Sequence, residues 1–236
     1  MKPTMNCRSL KLNFLSNYPG ERILKEKQDE VVIERIRAMF LSDYPIESIK
    51  MLSLNDYIFA PKGYGNPYSF CRRMRYETKW IASMGNAWPD VFGIYLKGGT
   101  EIKLSKTFSE LYGSDYSEAF KSIKNEIFDL LKAAERDEHE TIAASILNSI
   151  FKYKLLLIYY PQKYIPVCTK ATMRGYFEAV GLEYDPEQPM IYQNLELVHF
   201  KEKSPEFREW SNWLFMTFLD YTWRMNNNLT LYELSE

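Results

Sequence analysis

The chain reads as α+β: a mixed sheet containing a β-hairpin, flanked by several helices. Two stretches and their order carry that expectation. Residues 115–135, DYSEAFKSIKNEIFDLLKAAE, set Phe120, Ile123, Ile127, Leu130 and Leu131 at helical spacing along one face. VFGIYLKGGTEIKLSKTF places two short alternating runs on either side of a glycine pair, a hairpin signature. Helical and strand-like segments then interleave with no internal repeat, which fits an α+β arrangement.

In chain order, residues 20–41 predict a helix. Ile23, Val31, Val32, Ile36, Met39 and Phe40 form its apolar stripe, and charged residues fill the remainder. Residues 43–69 hold three prolines, two glycines and several aromatics, so they predict a loop packed down on the fold. Residues 68–83 predict a second helix with Phe70, Met74 and Ile81 inward. Arg72, Arg75 and Lys79 recur on another of its faces. For the hairpin, a three-residue Lys97-Gly98-Gly99 loop pairs Ile94 with Ile102 and Phe92 with Leu104, which keeps one face apolar.

FKYKLLLIYYPQKYIPV is apolar without a period and predicts a buried strand or a short helix stopped by Pro161. KATMRGYFEAVG predicts a short helix ended by Gly181. MIYQNLELVHF alternates weakly and predicts a strand. Residues 205–225 predict a final helix with Phe207, Trp210, Leu214, Phe218 and Tyr221 as its buried stripe. The 236 residues, 46% hydrophobic and 16% aromatic, suffice for a single domain over 1–236, with residues 1–60 as its helical N-terminal part.

No run of 18 apolar residues occurs, so no membrane span is expected. MKPTMNCRSLKLNF has no signal-peptide core. Cys7, Cys71 and Cys168 are too few and too scattered for a disulfide framework, so reduced thiols and a cytoplasmic location are expected. The net charge is −1, yet it is unevenly spread. Residues 1–120 carry 17 basic and 14 acidic side chains. Between 62 and 82, Lys62, Arg72, Arg73, Arg75 and Lys79 face a single acid, Glu77, and a local patch of this kind suits phosphates.

Catalytic patterns are sparse. Pro89-Asp90 followed by Glu101-Ile102-Lys103 has the composition of a PD-(D/E)xK metal nuclease. The expected register sets Asp90 five residues along the strand from Glu101, about 16 Å at about 3.3 Å per residue, and on the opposite face. That argues against a shared metal. His139 and His199 have no neighbour at ligand spacing, the cysteines form no zinc pattern, and no G-x-x-x-x-G-K-[ST] occurs in the 236 residues. The expectation is a non-catalytic chain without metal or cofactor.

The basic segment offers a different chemistry. Arg72, Arg73, Arg75, Lys79 and Lys62 are candidate DNA contacts. Trp80, Trp88, Tyr64 and Tyr68 are candidate stacking groups, and Asn86 a hydrogen-bonding group for a base edge. The competing reading is plainer: a charged run is ordinarily a solvated face, and tryptophans are ordinarily core.

LSLNDYIFAPKGYGNPYSFCRRMR, SMGNAWPDVFGIYLK and FKYKLLLIYYPQKYIP occur here in that order. This order resembles the N-terminal DNA-recognition region of McrB-type restriction ATPases/GTPases, from about Leu41 to Phe218. The resemblance rests on order and spacing and includes no catalytic motif. Arg73 and Arg75 stand where such proteins tend to carry an aromatic and an acid, and MGNAWP replaces a glycine-rich run. The resemblance implies a module that reads a double-stranded DNA site, methylated or not. The module would deliver that site to an AAA+ motor, in cis or in trans, and to an McrC-type nuclease subunit. The motor itself is absent from these residues. The alternative is a protein-interaction or oligomerisation module that docks through the aromatic tail, 207–223. The metal nuclease ranks behind both.

Overall fold

The computed structural model describes residues 7–18, 20–81, 84 and 87–227. Its elements are α1 (Cys7–Asn17), α2 (Gly20–Asp43), α3 (Leu54–Tyr57), α4 (Phe70–Tyr76), β1 (Ile94–Lys97), β2 (Glu101–Leu104), α5 (Lys106–Tyr112), α6 (Tyr116–Glu135), α7 (His139–Ala144), α8 (Ser149–Tyr159), α9 (Lys170–Val180), α10 (Met190–Lys203) and α11 (Asn212–Asn226). Turns of 3-10 helix cover Ile46–Met51 and Pro89–Phe92. The class is α+β, mostly helical. No helix among the described residues is long and apolar enough to cross a membrane.

The contacts gather into two compact units, one of Ile33–Tyr160 and one built from the chain before and after it. In the first, α6 buries Phe120, Ile123, Ile127, Leu130 and Leu131, the stripe its spacing predicts. Asp115 caps it by accepting from the Glu118 amide at 3.0 Å. Aromatic rings continue this core: Tyr57 stacks on Phe70, Phe59 on Phe92, and Phe92 meets Phe151 edge-on. The segment expected to be a packed-down loop therefore supplies core residues, Ile49 and Tyr57 from short helical turns and Phe59 from the stretch that bridges to β1.

The sheet is smaller than the mixed sheet expected. Among the described residues it is one antiparallel hairpin, to which Phe59 adds a single parallel bridge at Tyr95. The register also differs from the expectation. Ile94 pairs with Leu104, Leu96 with Ile102 and Lys97 with Glu101, leaving Gly98-Gly99-Thr100 as the loop. Gly98 and Gly99 both take positive φ, 61° and 88°, so the left-handed loop begins at Gly98 and Lys97 stays in the strand. The shift is by two positions, which preserves parity and the apolar face.

Two segments read as strands, or as undecided, are helices. KLLLIY lies within α8, where every residue from Phe151 to Tyr159 is buried, so no face is left to show a helical period. MIYQNLELVHF is the body of α10. The α2 stripe is corrected as well: Phe40 is buried, but Val31, Val32 and Met39 are exposed. The expected 68–83 helix ends at Tyr76. Beyond it the Thr78 hydroxyl donates back to the Met74 carbonyl at 2.5 Å, while the buried Lys154 ammonium takes the Thr78 carbonyl.

In the second unit, α9 ends as expected at Gly181, which is left-handed at φ 69°. The final helix starts at Asn212, seven residues later than expected, with Ser211 as its cap. Phe207, Phe218 and Tyr221 are buried as expected, while Trp210 and Leu214 are partly exposed. Gly175 of α9 lies against Trp223 of α11. A Cβ there would stand 2.9 Å from the indole, which Glu178 anchors at Nε1. Gly175→Ala should therefore lower the denaturant midpoint. Overpacking costs about 1–3 kcal/mol, against a gain of about 1 kcal/mol in helix propensity. A raised midpoint would show that α9 and α11 do not pack this closely.

Candidate nucleic-acid interface

The hairpin is the platform from which this surface is built. The Leu96 amide donates to the Phe59 carbonyl at 2.9 Å, which ties the following loop, 60–66, to β1. Gly99 faces the ring of Tyr64 so closely that a Cβ would fall 2.2 Å from it. The ring thus lies flat on the hairpin turn, where only glycine admits it. Lys62, two residues earlier, is exposed.

Helix α4 adds its cations through backbone carbonyls, one of them in the same loop. Arg72 Nη1 donates to the Ala60 carbonyl at 2.9 Å, and Arg75 Nη1 donates to the Ala87 carbonyl. Both guanidiniums flank the Tyr76 ring, at 5.2 and 5.9 Å, and Arg75 also lies over Phe59. A backbone carbonyl satisfies a donor without cancelling its charge, so both cations keep their field. Arg75 also fixes the backbone next to Trp88. Trp88 and Trp80 are 79% and 59% exposed, which is unusual for so large an apolar side chain. Lys79 Nζ stands 4.7 Å from the Trp80 ring centroid.

Not every expected residue joins this surface. Arg73 points elsewhere and is committed to carboxylates, Asp43 at 2.5 Å and Glu77 at 2.7 Å. Burial works against its charge, yet the hydrogen bonds to Glu77 and Asp43 outweigh it and hold its pKa above the ordinary arginine range. Tyr68 is exposed but lines an open pocket of about 520 Å³ with Arg73, Asp43 and Asp56, on the carboxylate-paired side. Lys79 does not share a helical face with Arg72 and Arg75, because α4 stops short of it. Asn86 lies outside the described residues.

Two contributors escaped the sequence reading. Tyr76, half exposed, lies within 6 Å of both guanidiniums; its position one after Arg75 and four after Arg72 is the sequence signal for it. Lys97 is exposed at the end of β1, where the observed register places it in the strand and not in the turn.

The nuclease pattern does not assemble. Asp90 is exposed in the 3-10 turn before β1, where its carbonyl accepts from Gly93. Glu101 opens β2 at the other end of the hairpin and pairs with Lys103 at 2.5 Å, a hydrogen bond that holds its carboxyl below the ordinary range. Among the described residues no group of three His, Cys, Asp or Glu side chains is placed to hold a metal ion.

Fold and surface together define a mostly helical α+β protein with a cationic, aromatic face on its hairpin-bearing unit. The chain matches no protein-family model, no curated protein and no solved structure.

Proposed function

We propose that this chain is a non-catalytic DNA-binding specificity module of a restriction or phage-defence system. In this reading it recognises a double-stranded site, methylated or not, and presents it to an AAA+ motor and an McrC-type nuclease. One observation carries the nucleic-acid part. Arg72 and Arg75 are held by carbonyls, not carboxylates, and the Ala87 carbonyl that Arg75 takes immediately precedes the exposed Trp88, so both charge and a ring face remain on offer. The motor and nuclease partners, and a cytoplasmic setting, rest on the resemblance to McrB-type N-terminal regions.

The interaction-module reading gains less support. Phe207, Phe218 and Tyr221 of the aromatic tail pack inside their own unit, with Phe207 and Phe218 centroids 4.6 Å apart. They are not on offer to a partner.

Lys62→Ala and Lys79→Ala test the site residue by residue. Each should lessen the slope of log affinity against log salt by about 1, read by fluorescence anisotropy on labelled duplex. Arg73→Ala should leave that slope unchanged, because Asp43 and Glu77 already hold its charge. Equal slopes for all three variants would remove the assignment.

A further inference from the structure

We infer that this surface grips unpaired nucleotides, so that single-stranded DNA binds it more tightly than a duplex of the same length. The inference rests on the phosphate-binding part of the reading above and departs from its double-stranded form: the cations serve either form, and the rings add a preference for unpaired bases.

Two of the exposed rings on this unit, Trp80 and Tyr76, have a cation beside them. Lys79 lies over Trp80 at 4.7 Å, and Arg72 and Arg75 flank Tyr76 at 5.2 and 5.9 Å. Tyr64 lies two residues from Lys62. Trp88 is 79% exposed and follows Ala87, whose carbonyl accepts from Arg75.

A duplex cannot use most of this. Its base faces are stacked on one another, and it presents only phosphates and groove edges. Ring faces on the protein would stay bare against it. An unpaired strand alternates phosphates with accessible base faces, which is the alternation of cation and ring found here. The rings are also fixed before binding, Tyr64 by the hairpin turn and Tyr76 by two guanidiniums, so little side-chain freedom is lost on stacking.

The test compares labelled oligothymidine and duplex, each about 20 nucleotides long to exceed one stacking site. Both are titrated with the full chain at one salt concentration. Single strand should bind at least about tenfold more tightly. Trp80→Ala and Trp88→Ala should each weaken single-strand binding by about 5- to 150-fold and leave duplex binding within about twofold. Circular dichroism of both variants checks that these exposed substitutions leave the fold intact. If duplex binds as tightly as single strand, or if the tryptophan variants leave single-strand affinity unchanged, this inference falls while the reading of the site as a DNA surface stands. If neither DNA binds, that reading falls and the inference with it.

Discussion

Phe92→Ala should destabilise the hairpin-bearing unit by about 3–5 kcal/mol, the range for deleting a buried aromatic ring. Phe92 is fully buried, stacks on Phe59 at 5.6 Å and meets Phe151 edge-on at 5.2 Å. Its carbonyl accepts the Tyr57 hydroxyl at 2.7 Å, so loosening the local backbone also exposes a buried polar group. The effect should reach the surface: Phe59 lies under Arg75 and supplies the carbonyl that ties the loop to Leu96. Urea unfolding followed by circular dichroism reads the loss. A change below about 1 kcal/mol, within the range of surface substitutions, would mean that this ring does not join the hairpin to α8.

Asn194→Ala should cost the other unit about 2–6 kcal/mol, because it orphans two buried backbone groups at about 1–3 kcal/mol each. Asn194 is fully buried in α10, and its amide makes both hydrogen bonds of Ile165: Oδ1 accepts from the amide and Nδ2 donates to the carbonyl, each at 2.9 Å. Asn212 serves the same segment by donating to the carbonyls of Pro161, Gln162 and Tyr164. A segment without helix or strand must satisfy its polar backbone somehow, and here two side-chain amides do so. Asn194→Asp separates hydrogen bonding from size. It keeps the volume and can still accept from the amide, but it places a carboxylate against the carbonyl, so it too should destabilise. If both variants unfold at the wild-type midpoint, Asn194 does not clamp the loop.

How far these features were legible in the sequence follows from where each side chain's partner lies. The α6 stripe was readable because one face is buried and the other wet, and Gly181 because its left-handed φ is a local demand. α8 was not, since burial on every side erases its period. The register was misread by two positions because either choice keeps the apolar face, and only the paired positive φ of Gly98 and Gly99 decides between them. At the surface, composition located the cations but not their partners. Arg73 finds Asp43 thirty positions away, whereas Arg72 and Arg75 find carbonyls, and no local pattern separates the three. The exposure of Trp80 and Trp88 was equally hidden, because a sequence does not show which aromatics the core leaves out.

The proposal depends on cations whose field remains uncancelled, and a salt titration of DNA affinity tests it at its root. With Lys62, Arg72, Arg75 and Lys79 each displacing a counterion from duplex, log affinity should fall against log salt with a slope of about −3 to −4. A flat line, or no binding at low salt, would contradict it.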